Sequence, residues 1–383
     1  MKNLKSKIEN LSLMVEQILS SAFNFFMVVI ISKTQPGHVS DYGLVLSFSL
    51  VILGYLRNSV ITPYILSGSG GFKVIIFSLI SSCKQLYFLI TVLFCFAYCF
   101  YSEVEFEFVS VFIFFCLLEI LKTFHIVSYK SSVFLMLVAP IYIFSAIYAW
   151  YFGYAQAFLL SGIFLIIVAG IYSITDSSTL KSIDVTSSRN SFVLSSAFSI
   201  YTHGPLWFLY LFRPEFAGLY VQVRSFFQPV HVFSRAADLI EKRNAVVAGA
   251  DLFGRVRSLI KTYFVFGSAV LAILTWAAAY LFPMLYGVDI TSELSFALIV
   301  FSLISLCIMI SKPIETVYFK LGAVNKMSVN RLISTALFIT LIVSFGTYEF
   351  LGFTQFITVL LISFISWLFM LSTSYFGLRR LSV

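Results

Sequence analysis

Apolar runs of about 20 residues, nearly free of charge, follow one another along the whole chain. A helix needs about 20 such residues to cross the ~30 Å hydrocarbon layer of a bilayer, whereas transmembrane strands alternate over about 10. The runs therefore predict an all-α polytopic membrane protein. Composition agrees: 60% of the 383 residues are hydrophobic and 11% charged, against ~45–50% and ~25% in soluble domains. Mean hydropathy is +0.98. No large soluble domain fits between the runs. Twelve spans are expected, at 10–32, 42–66, 76–101, 106–124, 132–152, 155–174, 191–212, 216–240, 258–282, 293–312, 329–348 and 352–376.

The charge pattern sets the orientation. With a cytoplasmic N-terminus, every Lys and Arg except Lys33, Arg57, Arg213 and Arg224 falls on or near the inside, and Asp41, Glu103, Glu105, Glu107, Glu215, Asp289, Glu293 and Glu349 lie outside. Basic residues are retained on the cytoplasmic side, so both termini are predicted there. The net charge of +8 reads as topology, not as a nucleic-acid surface. The basic start (Lys2, Lys5, Lys7) leads into a long run with no cleavage site, expected to be a retained span.

Six spans precede and six follow a polar inside segment. This organisation predicts an N-terminal lobe at 1–174, a cytoplasmic linker at 175–190 and a C-terminal lobe at 191–383. The second helix of each half opens alike: Asp41-Tyr42-Gly43-Leu44 in one, Glu215-Phe216-Ala217-Gly218-Leu219 in the other. The even separation makes the lobes parallel pseudo-repeats, an arrangement that places transporter substrates between repeats.

Polar residues concentrate in the first two helices of each half. In the eighth span Arg224, Gln228, His231, Arg235 and Asp238 recur at helical spacing, so a continuous helix would align them in one stripe, with Pro229 kinking it. Burying a lone Arg at mid-bilayer costs ~2.5–3.5 kcal/mol or more, so the stripe is expected to line a wet cavity; a structural polar seam is the alternative. Arg57 and Asn58 lie in the second span, Glu16, Ser20 and Asn24 on one face of the first, and Ser195, Ser199, Thr202 and His203 in the seventh. Fixed guanidiniums suit a phosphate or pyrophosphate, whereas a cation carrier needs central carboxylates.

Other chemistries lack their motifs. Gly68-Ser69-Gly70-Gly71-Phe72-Lys73 misses the phosphate-loop spacing, and the four histidines and five cysteines form no metal cluster. No metal, cofactor or catalytic residue is expected. Segment 241–257 reads as a basic inner-surface helix against anionic lipid.

The chain resembles the O-antigen and polysaccharide flippases of the multidrug/oligosaccharidyl-lipid/polysaccharide transporter superfamily. The likeness runs through Asn24-Phe25, Asp41-Tyr42-Gly43-Leu44, Phe216-Ala217-Gly218-Leu219-Tyr220 leading to Arg224 and Pro229, and Leu285-Tyr286-Gly287. It covers nearly the whole chain. The resemblance implies a two-lobed bundle in the bacterial inner membrane that flips undecaprenyl-pyrophosphate-linked saccharide by alternating access. Arg224, Arg57 and Arg235 would hold the pyrophosphate, with Gln228, His231, Asn24, Ser20, Asn58 and His203 lining the cavity and Glu16 or Asp238 coupling an ion. Its partners would be the lipid-linked oligosaccharide, membrane lipids, and a polysaccharide polymerase with its chain-length machinery. A cation-coupled multidrug exporter is the alternative. A saccharide polymerase or acyltransferase needs a catalytic outside loop that the sequence lacks.

Overall fold

The computed structural model describes residues 2–67, 71–176, 188–231, 252–346 and 353–379. Among these residues every regular element is helical, and nine helices are long and apolar enough to cross a membrane. The protein is an all-α, multi-pass membrane protein. Its chain divides into two compact units, one drawn from residues up to Ser195 and the other from Ser196 onward, leaving aside 239–247, which lie outside the described residues.

The first unit opens with α1 (Lys2–Thr34), a 3-10 turn at Pro36–His38, and α2 (Val39–Leu56). A π-helical turn, Arg57–Ile61, joins α2 to α3 (Thr62–Ser67). Then come α4 (Phe72–Cys83), α5 (Leu86–Tyr101), α6 (Glu105–Val127), α7 (Ser131–Phe152) and α8 (Tyr154–Thr175). α1 packs on α7, and α6 packs on α2 and α8. Their shared core is aromatic: Phe23 stacks on Tyr142 at 4.7 Å, and Phe114 meets Phe158 edge-on at 5.0 Å. Gly153 turns the chain from α7 to α8 alone, at φ +95°, which a side chain would strain. Carboxylates hold two helix starts. Glu9 accepts from the Ser131 N–H and, at 3.1 Å, from the Ser132 hydroxyl; Asp176 accepts from the Lys73 N–H at 2.8 Å.

The third expected span, 76–101, is corrected by the structure. It is two helices, α4 and α5, bent by 77° at Lys84–Gln85. Both halves are apolar, so composition hid the break. Neighbouring α2 is irregular at the same level: Tyr55 Oη donates to Gln85 Oε1 at 2.8 Å, and Ser59 and Ser82 hydroxyls bond at 3.0 Å.

The second unit takes up α9 (Ser188–Phe212) from Ser196 onward, then α10 (Pro214–Phe226) and a 3-10 turn at Gln228–Val230. It continues with α11 (Leu252–Tyr286), α12 (Ser292–Lys320), α13 (Val324–Leu341) with a π-helical turn at Ile342–Gly346, and α14 (Phe353–Arg379). α12 packs against α11 and α14, and α13 against α14. Trp367 is the centre of one aromatic cluster, meeting Tyr201 at 4.9 Å and Phe198 at 5.7 Å. On α11, Trp276, Tyr280 and Met284 are more than 70% exposed, as a lipid-facing helix requires.

The eighth expected span, 216–240, is interrupted next to Pro229, where a kink is expected, and its part beyond His231 lies outside the described residues. Its α-helix stops at Phe226, because Pro229 has no N–H to continue the ladder and the chain tightens into a 3-10 turn. Arg224 and Gln228 therefore do not share the continuous α-helical stripe that their spacing predicts. α9 and α10 are not among the nine membrane-crossing helices: α10 has only 13 residues, and α9, though 25 residues long, is interspersed with Ser, Thr and His. The predicted surface helix at 241–257 lies mostly outside the described residues, and α11 begins at Leu252.

Candidate functional site

Depth separates the candidate residues. α9 and α10 form a hairpin about Arg213, and a rise of ~1.5 Å per residue sets His203 about 14 Å and Arg224 about 15 Å from that turn. With that turn at the outer surface, as the charge pattern predicts, both distances are about half of a ~30 Å hydrocarbon layer. Arg57, by the same arithmetic, is about 27 Å from the start of α2, and Glu119 about 21 Å from the start of α6. The sequence suggests Arg57 as a counterpart of Arg224 in a central cavity. Its place along α2 is past the midpoint of the expected span, toward the predicted cytoplasmic end.

The electrostatic settings differ as much. Arg57 donates from Nε and Nη2 to Glu119 Oε1, at 3.2 and 3.0 Å. Its charge is already matched, and its side chain is 45% exposed. Glu16 is 1% exposed and faces the Lys122 ammonium at 2.9 Å, with the Gln17 amide also donating to it. A carboxylate expected to couple an ion is thus tied to a lysine of α6. Ser20 and Asn24 continue the Glu16 face of α1, Asn24 buried and Ser20 half-buried; Asn58 is half-buried in the π turn.

In the second unit, Arg224 Nη1 donates to His203 Nδ1 at 2.9 Å. A guanidinium has no acceptor, so Nδ1 must accept and the imidazole is neutral, with its proton on Nε2. His203 is buried and Arg224 half-buried. The Trp207 ring lies one helical turn on, within 17° of parallel to the imidazole at 6.3 Å. Tyr220, one turn before Arg224, donates to the Thr202 carbonyl at 3.5 Å and closes the hairpin. Among the described residues no carboxylate lies within ion-pair reach of Arg224. Gln228 and His231 are half-buried at the 3-10 turn, and Arg235 and Asp238 lie outside the described residues.

Sequence reasoning missed the partners. Glu119 and Lys122 carry no special role in the sequence, yet they neutralise Arg57 and Glu16. Glu315 of α12 does not stand out there either; it contacts Arg331 at 2.7 Å and Lys312 at 3.4 Å, and both cations sit about 5 Å from the Phe198 ring centre. The legible signal was the i, i+3 spacing of Glu119 with Lys122 and of Lys312 with Glu315. A groove of about 450 Å³ between α11 and α12 is lined, among the described residues, by apolar and hydroxyl side chains such as Trp276, Thr275 and Ser302. Among the described residues no His, Cys, Asp or Glu group is arranged to hold a metal ion.

No protein-family model matches the sequence, and the search of curated proteins finds no relative. Solved structures do match. A MATE transporter in complex with MaD3S aligns at TM-score 0.63 and 14% identity, covering 97% of this chain and 94% of that one. The MATE multidrug transporter DinF-BH aligns at 0.59 and 12%, covering 96% and 94%. A MOP superfamily transporter from Pyrococcus furiosus, described as having a binding pocket of reverse polarity that suggests a different function, aligns at 0.56 and 16%, covering 97% and 94%. The chain has the fold of these transporters.

Proposed function

We propose that this protein carries an anionic amphiphile across the bacterial inner membrane by alternating access, its cargo a saccharide linked through pyrophosphate to a polyprenyl lipid. One observation carries the anionic part of that reading. Arg224, expected from its helix position to lie deep in the bilayer, has a neutral histidine as its bonded partner, and among the described residues no carboxylate pairs with it. Placing a fixed guanidinium there costs several kcal/mol unless water or an anion compensates it. A pyrophosphate accepts the fork of N–H donors and restores charge balance while bound. Release restores the hydrated, positive state. No bond is made or broken, so the protein acts as a carrier rather than an enzyme.

Export of organic cations is the second reading, and the printed names of the MATE structures favour it. It calls for a central carboxylate open to the cation. Among the described residues the carboxylates within the predicted spans, Glu16 and Glu119, each face a Lys or Arg, as does Glu315 of α12.

Proteoliposomes decide between the two. The protein is expected to move a fluorescent polyprenyl-pyrophosphate disaccharide between leaflets, and Arg224→Gln is expected to slow it at least about tenfold at equal protein level. Cells carrying Arg224→Ala should lose surface glycan and accumulate lipid-linked repeat units in the inner leaflet. Unimpaired flipping by Arg224→Gln would falsify the anionic reading. Cation-driven ethidium efflux abolished by Glu16→Gln, with glycan unchanged, establishes the exporter instead.

A further inference from the structure

We infer that His203 is a positioning residue that aims Arg224 without cancelling its charge, a role that rests on the anionic reading above. Two arginines inside other helices allow the comparison; Arg213, in the turn before α10, donates to Gln355 Oε1 at 2.6 Å and has Glu215 at 4.0 Å. Arg57 is held by Glu119 and Arg331 by Glu315, and each carboxylate that orients its guanidinium also neutralises it. Arg224 is held at 2.9 Å by an imidazole nitrogen. A neutral acceptor supplies the directional half of that interaction and leaves the positive charge for a ligand.

The surroundings keep the imidazole in this state. His203 is 3% exposed, and its Nδ1 faces a permanent cation, so a proton there would set two positive charges in contact. Trp207 lies nearly parallel to the ring, and Phe338 of α13 stands 2.9 Å from where a Cβ on Gly204 would sit, so α9 is tightly packed next to the histidine. Rotating the imidazole therefore requires repacking. Among the described residues His203 is the acceptor bonded to Arg224, at Nη1, which leaves Nη2 and Nε to offer an anion as the two donors of a bidentate contact.

Charge and shape separate in an isosteric pair. Asn and Asp each place an oxygen close to the Nδ1 position, and only Asp brings a negative charge. The probe is farnesyl pyrophosphate, with farnesol as the uncharged control, titrated calorimetrically into full-length protein in nanodiscs. His203→Asn is expected to bind within about threefold of the parent. His203→Leu, without an acceptor, should bind several-fold more weakly, and His203→Asp weakest, by about tenfold or more, because it neutralises Arg224. Farnesol binding should not change across the series. Thermal melts establish that each variant is folded, and a variant that fails to fold is replaced by its counterpart on the other partner, Arg224→Lys, which retains charge but lacks the fork. Equal affinities for His203→Asn and His203→Asp, with Arg224→Gln still defective, overturn this inference and leave the anionic reading standing. If Arg224→Gln also binds normally, the anionic reading itself fails.

Discussion

Glu16 and Lys122 form an ion pair across α1 and α6, at 2.9 Å, with Glu16 1% exposed and Lys122 10%. Removing one member of a buried pair leaves the other charge uncompensated, at about 3–5 kcal/mol, whereas replacing both can be nearly neutral. Glu16→Gln and Lys122→Met should each lower the melting temperature in detergent markedly, and the double variant should recover most of the loss. Additive losses in a melting series would show that the two charges act separately. If Glu16 instead couples an ion, the stable double variant will carry no gradient-driven transport.

Arg57 makes a contrasting case. Its pair with Glu119 is half exposed, and exposed pairs contribute about 0–1 kcal/mol. Arg57→Gln should leave folding intact and flipping within about threefold of the parent, while Arg224→Gln falls at least tenfold. A flipping assay that ranks the two equally restores Arg57 to the substrate site.

Gly377 on α14 faces a rigid neighbour. A Cβ there would come 2.6 Å from Tyr318 Oη, which donates to the Ser374 carbonyl at 2.9 Å from a fully buried ring. Gly377→Ala should destabilise the second unit by about 1–3 kcal/mol. Adding Tyr318→Phe removes the clashing oxygen and should recover part of that loss, read as thermal stability in detergent. No recovery would place the strain elsewhere on α14.

The bend at Lys84–Gln85 makes a topological forecast. In a background lacking the native cysteines, Lys84→Cys should react with an impermeant thiol reagent from the cytoplasmic side, and Tyr101→Cys from the opposite side. An unbroken helix of 76–101 would bury position 84 in hydrocarbon and protect it.

Helix positions were legible because each span must carry enough apolar residues to cross lipid, a requirement written in consecutive letters. The bend was not, since Phe72–Cys83 and Leu86–Tyr101 are both apolar and composition carries no direction. The polar letters Ser81, Ser82, Lys84 and Gln85 were its only trace. Arg224 stood out because a guanidinium in a long span is anomalous by itself. Its setting did not, since His203 is 21 residues away in sequence, and Glu119 is 62 from Arg57. Pairing depends on how helices pack, and a single helix does not encode it. Pro229 marked where α10 changes course, but not that the α-helix would stop at Phe226.

The sixteen residues of α5 reach only about 24 Å when upright, several ångströms less than a relaxed hydrocarbon layer of ~30 Å. Were α5 to cross alone, lipid against that flank would have to compress to meet it. The protein would then deform its own solvent, and its working rate should climb in bilayers of short-chain lipid and sag in thick ones.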